Sequence, residues 1–223
     1  MKPSERENLR YLSGYVDKID IEEEIMFSLL PDSKGCSLLD IGCGEGVVAF
    51  ELQNRGFNVY GIDFSSVAVK NAKERGVNAI EYDIDKRAIP FKNNFFDVVW
   101  AGDVIEHVFD PFFLLEEIHR VLKDNGRLIL NVPNDFNIYS RIKIFLTGHS
   151  VQTDIYRELR QCKHHTFFSW DLLNYMLHQT KFSIDCYYSK LRFPKVKRKI
   201  ITQKKILGKM FGQLFIVCAH KSF

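Results

Sequence analysis

Apolar and polar positions alternate on two rhythms over the first part of the chain. Short apolar runs occupy Ser37 to Gly42, Asn58 to Asp63, Val77 to Tyr82, Phe96 to Ala101 and Arg127 to Val132. Between them, Val47 to Arg55, Ser65 to Arg75 and Pro111 to Leu122 carry apolar residues at helical spacing. Strands that alternate with helices bury both faces of a parallel sheet, so the pattern predicts a doubly wound α/β, Rossmann-like fold. Asp124-Asn125-Gly126 reads as a turn before the fifth strand, and Pro133 as its stop.

Residues 4–30 read as helical, with an apolar stripe at Ile21, Ile25, Leu29 and Leu30 that breaks at Pro31. Beyond Asn134 the rhythm weakens. Residues 135–168 resemble an inserted cap, with one helix from Ile138 to Leu146 and a polar stretch that ends in His164-His165. Ser169 is a good N-cap for a helix over Trp170 to Gln179. Two late strands follow, Phe182 to Tyr188 and Gln213 to Ala219, adding a C-terminal antiparallel strand to a mostly parallel sheet. The expected organisation is one domain over 1–223: an N-terminal helical cap at 1–34, a core at 35–134, the insertion at 135–168, and a C-terminal helix and strand pair at 169–223.

Composition leaves this picture intact. A chain of 223 residues with 26% charged and 46% hydrophobic residues suits one globular domain. Five cysteines stand singly, which favours neither a zinc site nor a disulfide framework and suits a reducing, cytoplasmic setting. Met1 to Arg10 has no apolar stretch of signal-peptide type. The formal charge is only +3, yet Lys190 to Lys209 holds nine basic residues and no acid. That segment reads first as a solvated connection between the late strands. Peripheral contact with anionic lipid or a phosphorylated acceptor comes second, and RNA third.

The chemistry concentrates at three predicted strand ends. Leu38-Leu39-Asp40-Ile41-Gly42-Cys43-Gly44-Glu45-Gly46 is an apolar strand running into a glycine-rich turn, where a ligand can approach backbone closely. The spacing is G-x-G-x-G, without the third glycine of a dinucleotide fingerprint in its place. Asp40 would repel a pyrophosphate but suits a ligand bearing ammonium and sulfonium charges, and it can equally cap loop amides. Asp63 ends the second strand about 20 residues further on, where a carboxylate can hold both ribose hydroxyls. Asp83 and Ile84, after the third strand, offer a carboxylate for an adenine amino group and an apolar face for its ring.

Together these motifs resemble the class I S-adenosylmethionine-dependent methyltransferases, closely over residues 36–134 and loosely elsewhere. The resemblance implies S-adenosylmethionine as cofactor, S-adenosylhomocysteine as product, and a cofactor site at Asp40, Gly42, Cys43, Gly44, Asp63, Phe64, Asp83 and Ile84. Asp103-Val104-Ile105-Glu106-His107-Val108-Phe109-Asp110-Pro111 is similar to the segment after the fourth strand in ubiquinone-biosynthesis O-methyltransferases and the MetW-like group. It implies a small or lipid-linked acceptor, methylated at oxygen, and Asn131-Val132-Pro133-Asn134 with His165-Thr166-Phe167-Phe168-Ser169, similar to relatives associated with surface-polysaccharide or lipid modification, extends this to a sugar-linked one. The MetW-like resemblance keeps open a non-catalytic, cofactor-binding partner subunit.

His107 is the general-base candidate, because a neutral imidazole can take a proton from an acceptor hydroxyl; it can equally orient its loop. Asp103, Glu106 and His107 also match a spacing through which some ubiquinone-type relatives are thought to hold a divalent cation. Hard ligands with one imidazole suit magnesium or manganese imperfectly, so no metal is expected. Tyr11 or Tyr15, and His164 or His165, are placed to close over the cofactor, although such residues more often pack.

Overall fold

The computed structural model describes residues 8, 11, 19–32, 34–86, 88–148, 164–191 and 200–222. Its strands are β1 (Ser37–Ile41), β2 (Asn58–Asp63), β3 (Asn78–Glu81), β4 (Phe96–Gly102), β5 (Leu122–Pro133), β6 (Phe182–Leu191), β7 (Ile200–Thr202) and β8 (Gly212–Lys221). Its helices are α1 (Ile21–Ser28), α2 (Val47–Asn54), α3 (Ser66–Glu74), α4 (Pro111–Val121), α5 (Ile138–Thr147), α6 (Trp170–Gln179) and α7 (Lys205–Phe211). The strands form one sheet in the order β3-β2-β1-β4-β5-β8-β6-β7. The first five pair in parallel and the last three antiparallel. The mostly parallel α/β sheet predicted from the sequence is therefore present, with a larger antiparallel extension.

Caps place the helix starts where the sequence puts them. The Ser65 hydroxyl accepts from the Ala68 amide, the Asp110 carboxylate from Phe113, and the Ser169 hydroxyl from Leu172. Each satisfies a helix-end donor that would otherwise lack a partner. The turn at Asp124-Asn125-Gly126 survives as an irregularity inside β5. Asn125 is left-handed at φ +60°, and pairing steps from Phe96–Leu122 to Val98–Arg127.

Two apolar cores sandwich the sheet. One gathers Leu39, Ile62, Val99, Leu115, Ile118, Leu130 and Leu173; the other gathers Met26, Leu38, Leu52, Val69, Val98, Trp100 and Ile129. Adjacent β1 residues Leu38 and Leu39 fall in opposite cores, as the two-residue period of a strand dictates.

The basic segment is more structured than a connection. Ile200–Thr202 pairs with Ser189–Leu191, and α7 follows before β8. Close packing drives this: a Cβ on Gly208 would lie 2.9 Å from the Ser189 Cβ, so only glycine lets α7 sit against β6. Residues 192–199 of that segment, 149–163 of the insertion, and Tyr15 lie outside the described residues.

Candidate active site

Parallel pairing brings the C-terminal ends of β1, β2, β3 and β4 to one edge, so the acids spread along the sequence meet there. Asp40, near the end of β1, is buried and sits opposite Gly61 and Trp100. The glycine loop that follows is tied to β2, with the Gly42 and Cys43 amides donating to the Ile62 carbonyl at 2.8 and 3.1 Å. Asp63 completes the tie. Its Oδ2 accepts from the Gly44 amide at 3.0 Å, and its Oδ1 from the Ser65 amide at 2.8 Å. Asp63 thus holds the loop and the start of α3 together.

The glycines have packing duties that the sequence does not display. At Gly42 (φ +71°) a Cβ would lie 2.6 Å from Val104 Cγ2, so the segment after β4 closes over the loop only because that atom is missing. Gly46 (φ +77°) is the N-cap of α2, and its Cβ would meet the Ala72 Cβ at 2.9 Å. The third glycine therefore lets α2 and α3 come together.

Phe64, next to Asp63, and Ile84 are half-buried, and Ile84 packs against the core. Asp83 receives the Asp85 amide and pairs with Lys86, while the Tyr82 amide donates to the Asp63 carbonyl at 2.8 Å. Asn8, which sequence reasoning missed, accepts from the Ser65 hydroxyl at 2.6 Å and the Val67 amide at 3.3 Å. Asn8 thus sits against the start of α3, and Tyr11 is buried.

The second half of the site lies after β4. Asp103 is left-handed at φ +50°, and its amide donates to Asn131 Oδ1 on β5 at 2.6 Å. A one-turn 3-10 helix, Ile105–His107, follows. Glu106 is buried, and its Oε2 has no hydrogen-bond partner among the described residues; the same holds for Asn131 Nδ2. Its Oε1 lies 3.9 Å from His107 Nε2, too far for a direct hydrogen bond. Burial and the Asp103 charge push the Glu106 carboxyl up to about 8. Solvent reaches Asp103, yet loss of hydration and the Glu23 charge raise it to about 6.

The described residues from 164 onward meet this segment through their backbone. Asp135 and Phe168, at the two ends of residues 135–168, clasp each other: the Asp135 amide donates to the Phe168 carbonyl at 2.9 Å and the Phe168 amide to Asp135 Oδ2 at 2.8 Å. The Glu106 carbonyl accepts from the amides of His165 (2.7 Å) and Thr166 (3.3 Å). As a result the His107 and His164 rings meet edge to face with centroids 4.7 Å apart, and His165 stacks on Phe109 at 4.1 Å. One ligand atom each from Glu106, His107 and His164 falls within 4.8 Å of the others, a grouping that could hold a metal ion. The sequence spacing anticipated Glu106 and His107 but had Asp103 as the third member, because His164 lies 57 residues from His107 in the chain.

Comparison with known proteins adds to this geometry. Residues 39–130 match the methyltransferase domain family. The 27-O-demethylrifamycin SV methyltransferase of Amycolatopsis mediterranei is 35% identical over 46% of this chain and 40% of its own length. The ubiquinone biosynthesis O-methyltransferase of Pseudomonas aeruginosa is 35% identical over 45% of each chain. This chain spans roughly a third to three fifths of the length of such curated relatives, from 34% to 61%. A solved SAM-dependent methyltransferase of Thermotoga maritima superposes with a TM-score of 0.68 at 21% identity, covering 90% of this chain and 87% of that one. The cofactor that goes with this family is S-adenosylmethionine, and the donor set suits it: buried Asp40 and Asp63 and half-buried Asp83 at neighbouring strand ends favour hydroxyls and positive charge over a pyrophosphate. Residues 39–130 match the methyltransferase domain family, and the chain shares the fold of solved S-adenosylmethionine-dependent methyltransferases.

Proposed function

We propose that this chain is an enzyme that transfers a methyl group from S-adenosylmethionine to a hydroxyl of a small or lipid- or sugar-linked acceptor. The observation that carries the acceptor half is the clasp between the Glu106 carbonyl and the His165 and Thr166 amides. It sets two imidazoles beside a buried carboxyl at the strand edge where Asp40 and Asp63 lie. When bound, the cofactor supplies a methyl group already activated on a sulfonium, so the protein needs to align, desolvate and accept a proton.

In this reading Asp63 holds the ribose while fixing the glycine loop, Asp40 faces the cationic end, and Asp83 with Phe64 and Ile84 holds the adenine. Gly42, Cys43 and Gly44 supply the close-approaching backbone. His107 takes the hydroxyl proton on its imidazole. Glu106, raised to about 8, keeps its own proton near neutral pH, so it adds no negative charge to compete for the sulfonium. The named substrates of the relatives, a rifamycin and a ubiquinone precursor pathway, favour a hydroxylated acceptor.

Calorimetry with S-adenosylmethionine, S-adenosylhomocysteine and NAD tests the cofactor half. Labelled-methyl transfer across hydroxylated acceptors, with His107→Ala beside wild type, tests the acceptor half. Full turnover in His107→Ala removes that residue from the proton step. Tight cofactor binding with no transfer, joined to a changed activity in a second protein, would favour the partner-subunit reading instead.

A further inference from the structure

One polar residue interrupts the apolar run of β5. Asn131 stands between the buried Leu130 and Val132 and is itself only 1% exposed. Burying a side-chain amide is costly unless its hydrogen bonds are used, so packing alone would favour an aliphatic residue at this position. The bond that Asn131 makes is a particular one, from the Asp103 amide to its Oδ1 at 2.6 Å.

That bond falls where the ladder between β4 and β5 stops. Gly102 and Asn131 are its last pair, while β5 runs on to Pro133 in register with β8. Continued, the ladder would set Asp103 beside Val132. Instead the Asn131 side chain supplies the acceptor, and the chain turns away at Asp103 with φ +50°, a backbone that a residue with a side chain keeps only where its surroundings impose it. Gly102 leaves room for this: a Cβ there would lie 3.1 Å from Trp100 Nε1 and 3.7 Å from Asn131 Oδ1.

The turn leads straight to the candidate base. Val104 comes next and lies over the glycine loop, where only the missing Cβ of Gly42 admits it. The His107 amide donates back to the Val104 carbonyl at 2.9 Å, and the Phe109 amide is taken by Asp85 Oδ1 at 2.8 Å. The segment is short and tied at both ends, so a shift at Asp103 is carried to His107. Asp85 is half-buried and its bond to Phe109 exposed, which leaves Asn131 as the buried side chain among these ties.

We propose that Asn131 is a positioning residue for methyl transfer, whose side chain ends the ladder between β4 and β5 and turns Asp103–His107 so that the His107 imidazole stands at the strand edge carrying the glycine loop. This role rests on the proposed methyltransferase function and on His107 as proton acceptor, but the placement of the turn is measured without turnover, so either can fail alone.

The experiment is amide hydrogen exchange and histidine-ring NMR on the whole chain. Wild type is compared with Asn131→Leu, which is close in size but has no acceptor, and with Asn131→Asp, which keeps an acceptor oxygen. The wild-type Asp103 amide should exchange at least about tenfold more slowly than a free amide, lose that protection in Asn131→Leu and keep it in Asn131→Asp. The His107 ring signals, identified through His107→Gln, should move in Asn131→Leu and return towards wild type in Asn131→Asp. Those of His119 on α4 and His220 on β8 should stay fixed. An unprotected Asp103 amide in wild type overturns the proposal without any variant. So do His107 signals that stay put in Asn131→Leu, or that move together with those of His119 and His220, since Asn131 would then serve general packing. Calorimetry with S-adenosylmethionine keeps the two readings apart. Asn131→Leu should bind about as well as wild type, because Asp63 still ties the glycine loop; wild type that binds none overturns the methyltransferase reading, while the exchange and ring signals still decide the placement of the turn.

Discussion

Replacing Asp63 with asparagine separates the two duties argued for this residue, because it keeps the shape and removes the charge. The native carboxylate accepts from Gly44 N at 3.0 Å and Ser65 N at 2.8 Å, and the residue is buried. Asparagine has one acceptor oxygen, so one of the two amides would face an NH2 group. Losing a hydrogen bond to a charged acceptor costs about 1.5–3 kcal/mol. The surviving bond becomes a neutral one of roughly half the strength. The sum is about 2–4 kcal/mol, or a fall in melting temperature of roughly 5–15 °C for a chain of this size. If Asp63 also holds the ribose, the same exchange weakens S-adenosylmethionine by about ten- to a hundredfold in calorimetry. Unchanged melting with unchanged affinity would refute both duties. A large fall in melting temperature with wild-type affinity, measured below the transition, would refute the ribose role alone.

Gly46→Ala puts a Cβ 2.9 Å from the Ala72 Cβ at a left-handed backbone position, and should lose about 2–4 kcal/mol in denaturant unfolding, far more than a surface glycine. Glu106 has a folded pKa raised to about 8, so the folded state binds the extra proton and stability should fall as pH rises from about 4.5 towards 8. The loss amounts to a few kcal/mol at about 1.4 kcal/mol per pKa unit. Glu106→Gln should flatten that slope in thermal melts and be relatively more stable at pH 8. Methyl transfer should survive EDTA, because a carboxyl that keeps its proton near neutrality opposes coordination; complete loss restored by added zinc would assign Glu106, His107 and His164 to an ion.

The parts of the fold legible in the sequence are those whose causes are local. Strand β1, its glycine turn and helix α2 occupy one continuous stretch, and the α6 boundaries at Trp170 and Gln179 follow from the Ser169 cap. The candidate cofactor acids were legible for the same reason: each ends an apolar run, and a parallel sheet must bring such ends to one edge. Asn8, Asn131 and Gly46 were not legible in their actual roles. Their partners, Ser65, Asp103 and Ala72, are set by packing between elements that the one-dimensional pattern does not relate.

The acceptor side shows the limit most clearly. His107 and His164 carry no joint signal in sequence, since 57 residues separate them and the link that joins them is backbone to backbone. A carbonyl at Glu106 and amides at His165 and Thr166 exist whatever the side chains are, so composition and spacing are blind to them. The same blindness hid the outward apolar faces of α5 and α7. An apolar helical stripe predicts burial, and only the surrounding structure reveals that Ser140 and Gly208 are the residues buried. The regular core therefore writes itself into the sequence, while the approach of His165 and Thr166 to Glu106 is fixed by backbone contacts. Substitutions at Asp63 should accordingly change cofactor affinity, and substitutions at His107 should change transfer while leaving that affinity alone.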